Sequence, residues 1–169
     1  MKNLFTALIG VTLSTGAFAQ DFLQQWRDSA IQTMNEFRSA NKAGIEAGGW
    51  RFVAGALSAE EVPISDIFIK GVKAEKGSVR SAYLLNAFYE PVPASELPEY
   101  QSTKMLVWFD CKEGSYEQHI LERYPSVDGS GNPVSRDIEK HDAPGIEMHG
   151  ADARSIENLL LPAVCSARR

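Results

Sequence analysis

The histidines with their neighbouring carboxylates, and the cysteines, are the first candidates for catalytic or metal chemistry in this chain of 169 residues. Residues 140–149 contain His141 and His149, with Asp142 and Glu147 between them, and zinc accepts such side chains as ligands. No helical spacing aligns these side chains, and a Pro-Gly pair among them predicts a loop. We therefore interpret them as solvated loop residues and predict no metal site.

The third histidine, His119, lies on a predicted strand and faces the opposite way from Gln118 and Ile120, so we interpret it as a surface or edge residue. The sequence contains no G-x-S-x-G motif, no phosphate-binding or dinucleotide-binding glycine motif and no C-x-x-C pair. It therefore names no catalytic residue and no cofactor, which favours a non-enzymatic protein over an enzyme.

The N-terminus has the features of an export signal. Lys2 precedes a mostly apolar run over residues 4–13, and Ala-Phe-Ala at residues 17–19 matches the cleavage rule, so residues 1–19 are predicted to be a signal peptide with Gln20 as the first mature residue. The run is too short to span a bilayer, and no cysteine follows the cleavage point. We expect no transmembrane segment or lipid anchor, and a periplasmic location, with secretion or envelope association as alternatives.

Cys111 and Cys165 are the two cysteines of the chain. In an oxidising compartment such a pair favours one disulfide, which would fasten the last helix to a strand. Two free thiols in a reduced pocket are the alternative. A disulfide would also leave the chain without a thiol nucleophile.

The charge of the chain limits its partners. Loss of Lys2 with the signal changes the formal net charge from −5 to −6. An acidic surface argues against nucleic acid and anionic membranes as partners. The remaining length suits a single domain, which we divide into an N-terminal helix at residues 20–45 and an α+β unit at residues 46–169.

A helical period runs through residues 21–41 and predicts an amphipathic helix. Asn41 and Gly44 are typical stop signals. We favour packing of the apolar face on the protein's own sheet. A helix that binds a membrane surface or a partner is the alternative, but the polar face is rich in Gln and lacks the Lys expected for contact with anionic lipid. The apolar face comprises Phe22, Leu23, Trp26, Ala30, Met34 and Phe37.

Short β-prone runs broken by turn residues follow the helix. Pro91, Pro93 and Pro98 predict a stiff connection that cannot be central strand. A closing helix should begin at Asp152 and end or kink near Pro162. The predicted strands cover residues 50–54, 66–70, 79–89, 103–111, 116–124 and 134–138.

The strand before Cys111 is apolar on both faces. Val107 and Phe109 point to the same side as Cys111, which should receive the last helix, while Leu106 and Trp108 point to the other side. A sheet with one solvated face would alternate apolar and polar residues. Both faces should therefore be covered, by the two helices and, where they do not reach, by a partner subunit in a homodimer.

The run Leu106-Val-Trp-Phe-Asp-Cys111, preceded by Tyr100-x-Ser-x-Lys, resembles the core signature of the surface-adhesin protein E family. The C-terminal Leu161-x-x-Val-Cys165 does so too. The resemblance covers roughly residues 50–165 and further includes Trp50, Asp66, residues 79–89 and Tyr124.

The resemblance implies a small antiparallel sheet with a C-terminal helix tied by a Cys111–Cys165 disulfide. The expected fold class is then α+β, with about five to six antiparallel strands, this helix and an additional N-terminal amphipathic helix. The best-known member is a non-enzymatic adhesin that binds host matrix and plasma proteins and can dimerise.

Aromatic and apolar side chains near the sheet suggest a binding face. Leu106, Trp108, Tyr89, Tyr100 and Tyr124 are the candidates, although tyrosines half-buried in an ordinary sheet are the alternative. We expect an exported, non-enzymatic domain that binds a protein, in adhesion or at the envelope. The alternative is a periplasmic small-ligand carrier or enzyme with a pocket between helix and sheet.

Overall fold

The computed structural model describes residues 15–58, 61–93, 97–138, 149–150 and 156–166. Residues 1–14 of the predicted signal peptide lie outside these ranges, as do His141, Asp142, Glu147 and the expected N-cap Asp152. The elements in chain order are α1 (Thr15–Ala47), β1 (Arg51–Leu57), β2 (Pro63–Ala74), β3 (Val79–Val92), β4 (Tyr100–Asp110), β5 (Ser115–Tyr124), β6 (Ser135–Ile138), β7 (His149–Gly150) and α2 (Ile156–Cys165).

The strands form one antiparallel sheet in the order β1-β2-β3-β4-β5-β6, with the short β7 pairing to β5. Short turns join β2 to β3 and β4 to β5. In the β4–β5 turn Gly114 has a φ of 67° and donates its N–H to the carbonyl of Asp110 at 2.9 Å. Glycine adopts this left-handed conformation without a steric penalty. The α+β class and the antiparallel sheet are confirmed.

β3 is longer than predicted. It continues past Tyr89 to Val92 and contains Pro91, which the sequence had excluded from a central strand. Regular pairing with β4 stops at Ala87 and resumes only at Val92. Proline is tolerated in this irregular stretch because no N–H is needed there for a ladder hydrogen bond.

A bulge in β5 corrects the predicted facing of its side chains. Leu106 pairs with Ile120, whereas the next residue, Val107, pairs with Gln118. His119 is therefore the extra residue, and the alternation of the strand reverses on either side of it. Ile120 consequently shares the face of Leu106, not the face of Gln118.

α1 covers one face of the sheet and α2 covers the other. Phe37 and Ile45 of α1 pack with Phe68 and Leu85, while Leu160 and Val164 of α2 pack on the opposite face. The prediction that one apolar face of β4 receives the last helix is confirmed. The residues buried there include Ile67, Ile69, Ala82, Leu84, Val107 and Phe109.

Cys111 and Cys165 form a disulfide, as predicted, with their Cα atoms 5.5 Å apart. α2 continues through Pro162 and ends at Cys165, so the proline lies inside the helix and does not itself end it. Leu160 and Val164 are fully buried and the last residue is cross-linked to the sheet. Tertiary packing therefore outweighs the unfavourable proline.

α1 also extends beyond its predicted end. It passes through Gly44 and ends at Ala47, where Gly49 takes a φ of 85° and donates its N–H to the carbonyl of Glu46 at 2.9 Å. Ile45 is almost fully buried against the sheet. Burial of this side chain stabilises the last turn, so the helix passes Gly44 and stops before the pair Gly48-Gly49.

Candidate functional site

α1 is only partly covered by the sheet. Its apolar stripe is buried at Phe37, but every side chain described over residues 22–29 is exposed. Phe22 and Trp26 are 67% and 43% exposed although they lie on the same stripe. We call residues 22–30 the α1 overhang, because the sheet leaves the apolar face of this segment uncovered.

A cleft of about 420 Å³ lies between the α1 overhang and the adjoining ends of β2 and β3. α1 contributes Trp26 and Thr33, the start of β2 contributes residues 62–64, and the end of β3 contributes residues 88–93. Most of the described lining is apolar, and among the described lining residues Glu90 is the one with a charged side chain. The volume falls within the range of ligand pockets, about 300–1,000 Å³.

A buried polar cluster supports the wall of this cleft. Arg38 donates from Nε to Oδ2 of Asp66 at 2.9 Å and from Nη2 to Oδ1 at 2.6 Å. The hydroxyl of Tyr89 donates to the same Oδ1 at 2.8 Å. We call Arg38, Asp66 and Tyr89 the Asp66 triad; it joins α1, β2 and β3.

The Asp66 triad has a structural role. Asp66 is fully buried, and the guanidinium of Arg38 meets it through two parallel hydrogen bonds, the strongest geometry available to a carboxylate. The hydrogen bond to Asp66 raises the pKa of Arg38, so this cation stays charged. The triad therefore fixes the position of α1 on the sheet, and with it one wall of the cleft.

Removal of the Tyr89 hydroxyl should measurably destabilise the protein. Burial, followed by the hydrogen bond to Asp66, raises the pKa of Tyr89 above its usual value. Tyr89→Phe is expected to lower the free energy of unfolding by about 1.5–3 kcal/mol, because a hydrogen bond to a charged group is lost. Urea denaturation at pH 7 measures this loss, with the exposed Tyr83→Phe as control.

The same variant should change the pH dependence of stability. A tyrosine with a raised pKa ionises first in the unfolded state, so its contribution is complete below about pH 10 and declines as the pH rises further. Tyr124 acts in the same direction, since burial raises its pKa to about 12. Tyr89→Phe should therefore weaken, without abolishing, the alkaline loss of stability; an unchanged alkaline profile would contradict the role of Tyr89.

The loop leading into the cleft holds a strained residue. Glu61 has a φ of 62°, and its N–H donates to the carbonyl of Ser58 at 3.0 Å. A side chain in the left-handed region costs about 1–2 kcal/mol, part of which glycine recovers. Glu61→Gly should raise the free energy of unfolding by up to about 1 kcal/mol. Glu61→Ala, which keeps Cβ, is the control in thermal denaturation and should show no such gain.

The structure places the five predicted binding-face residues in different environments. Leu106 and Trp108 are half-buried on the face opposite α2, and Tyr100 is half-buried. Tyr89 and Tyr124 are only 7% and 5% exposed, so they do not contribute to an exposed face. Their hydroxyls are directed to carboxylates, because a buried tyrosine needs a hydrogen-bond partner.

His119, which the sequence suggested as a surface or edge residue, is half-buried. Its ring centroid lies 4.3 Å from that of Trp108, and its Nε2 lies 3.6 Å from Oε2 of Glu117. Glu117 is 2% exposed. The bulge turns His119 towards this pair, and no glycine or proline in the strand signals the bulge. Within the described ranges, no group of three or more His, Cys, Asp or Glu side chains could hold a metal ion.

A second, smaller depression of about 150 Å³ lies on the face opposite α2, beside Tyr83 and Leu106. Its charged side chains are already engaged: Arg136 lies 3.2 Å from Glu122, and Glu122 also accepts the hydroxyl of Tyr124 at 2.6 Å. The size and the internal pairing make it a weaker candidate than the cleft beside α1.

No family model, curated protein or solved structure matches this chain. Neither helix, within the described part of the chain, combines the length and apolar character that a bilayer crossing requires.

Proposed function

We propose that this chain is an exported, non-catalytic binding domain, periplasmic or envelope-associated, that receives an apolar segment of a partner protein in the cleft beside α1. The observation that carries the proposal is the pair Trp26 and Ile64, which are 43% and 39% exposed on the two walls of an apolar cleft. Large contiguous apolar surfaces on soluble proteins commonly mark interaction sites.

Export is supported by the signal-like N-terminus together with the Cys111–Cys165 disulfide, since such bonds persist in oxidising compartments. The resemblance to surface-adhesin protein E supports protein binding and suggests a role in adhesion.

The lining of the cleft supports binding over catalysis. The described residues that line it include no histidine or cysteine, and its one carboxylate, Glu90, is exposed. The nearest buried carboxylate, Asp66, is committed to Arg38. A nucleophile with an adjacent general base, which covalent catalysis requires, is therefore lacking among these residues.

A small-ligand carrier is the second candidate, because the cleft volume of about 420 Å³ also suits a compact apolar molecule. In that case the purified native protein should retain a small molecule that native mass spectrometry detects. Trp26→Ala should release it.

Site-specific photo-crosslinking tests the protein-binding proposal. A photoreactive amino acid at Trp26 should form a discrete protein adduct in cells that export the chain, and mass spectrometry should map it to an apolar segment. Gln32, exposed on the opposite side of α1, is the matched control and should give no such adduct. Equal crosslinking at both positions, or none at Trp26, would contradict the proposal.

A further inference from the structure

We infer that the cleft beside α1 selects a peptide segment that carries a lysine or arginine next to its apolar residues, with the cation placed at Glu90. This inference rests on the proposed function and names the chemistry of the partner. Three properties of the lining carry it: its hydrogen-bonding capacity, its charge and the exposure of Glu90.

Three residues of the strand walls of the cleft lack a backbone hydrogen-bond donor. Pro63, Pro91 and Pro93 line it, and proline has a carbonyl oxygen but no backbone N–H. An occupant that passes along these three residues can accept no backbone hydrogen bond from them. A segment with donor-rich side chains fits such a wall.

Side-chain donors in the lining are also engaged within the protein. The single hydroxyl hydrogen of Tyr89 is directed to Asp66 at 2.8 Å, with the carbonyl of Ser65 as a second acceptor at 3.1 Å. Thr33 donates its hydroxyl to the carbonyl of Ser29 at 3.1 Å. The Trp26 indole and the Ser29 hydroxyl are the other side-chain donors among the lining residues, and both lie on α1. The β3 wall thus favours a ligand that supplies its own N–H groups.

The charge of the site is negative. Glu90 is the charged residue among the lining residues that the structure describes. Arg27, on α1, lies 4.0 Å from Glu61, which offsets its charge. The whole chain carries a formal net charge of −5, which adds a long-range attraction for cations. An anionic segment would meet repulsion from both sources.

Glu90 can act without a large desolvation penalty because it is exposed. One solvent-exposed ion pair changes affinity by about 1.4-fold to fivefold, and the effect declines with salt. Charge reversal at Glu90 replaces attraction by repulsion, so we expect a change of about tenfold between peptides of opposite charge.

Three synthetic amphipathic peptides of equal length test this inference: one with Leu and Lys, one with Glu in place of Lys, and one with Gln in place of Lys. Affinities are measured with labelled peptides by fluorescence anisotropy at low and high salt. The Lys peptide should bind tightest to the wild type, and Glu90→Lys should reverse the order of the Lys and Glu peptides. Glu113→Lys is the control, because Glu113 lies in the exposed turn after β4, away from the cleft. This variant should leave the order of the peptide affinities unchanged.

An unchanged order in Glu90→Lys, or equal binding of all three peptides, would overturn charge selection. If such charge-independent binding were abolished by Trp26→Ala, the apolar docking of the proposed function would stand. If no peptide bound and Trp26 gave no crosslink, both proposals would fail. A dimer in sedimentation velocity that Trp26→Ala dissociates would assign the cleft to a second copy and overturn the inference.

Discussion

Arg38→Met is expected to lower the free energy of unfolding by up to about 3–5 kcal/mol, the range seen when one partner of a buried ion pair is removed, because Asp66 is fully buried although the Arg38 side chain is 31% exposed. The substitution leaves Asp66 fully buried, with only the hydroxyl of Tyr89 directed to its carboxylate in the described contacts. Methionine keeps the length and apolar stem of the side chain, so the loss reports the guanidinium. Urea unfolding followed by circular dichroism measures it.

Arg27→Met is the matched control, since it makes the same change on the same helix. Arg27 lies 4.0 Å from Glu61, and both side chains are well exposed, so we expect a loss of at most about 1 kcal/mol. Equal losses in the two arginine variants would show that the buried pair has no special role.

A double-mutant cycle compares Arg38→Met, Asp66→Asn and the variant that carries both substitutions. Removing both charges avoids an unpaired buried ion, so the double variant should be more stable than the sum of the single losses predicts. The coupling should exceed about 1 kcal/mol for residues in direct contact. Additive losses would contradict the geometry of the Asp66 triad.

Replacement of both Cys111 and Cys165 by alanine should lower the free energy of unfolding by about 4 kcal/mol. The disulfide spans a sequence separation of 54 residues, and closure of such a loop restricts the unfolded chain by about that amount in the chain-entropy model. α2 has 10 residues, and a helix of this length is marginal without tertiary contacts. Denaturant unfolding of the oxidised wild type and the variant gives the difference.

Dithiothreitol supplies the control for this second prediction. It should bring the wild type to the stability of the variant and leave the variant unchanged. A loss below about 1 kcal/mol would mean that the apolar contacts of Leu160 and Val164 suffice to hold α2.

Local patterns predicted most of the sheet. The period-two alternation around Val107 and Phe109 placed the strand and its face, and the small set of cysteines left one intramolecular pairing. These features are readable because each depends on neighbouring residues or on a single pair. The bulge at His119 breaks the same period without a local signal, so the facing of Ile120 was wrong.

The candidate site was harder to predict because it depends on how far along α1 the contact with the sheet extends. Trp26 and Phe37 lie on the same apolar stripe of α1. The stripe alone does not reveal that the sheet covers Phe37 and leaves Trp26 exposed. Arg38 and Asp66 are 28 residues apart on different elements, so their pairing is a tertiary event. A single Asp inside the apolar run of β2 was the available signal for a buried partner.

The neighbour-to-neighbour order of β1 to β6 has a kinetic meaning. Every adjacent pair in this meander can close by a short local loop, so the sheet can form by successive hairpin additions with little entropic delay. α2 must return from the end of the chain to β1, β3 and β4, across a much longer loop. We expect the strands to assemble before α2 docks on them. The Cys111–Cys165 disulfide should then form last, once α2 is in place.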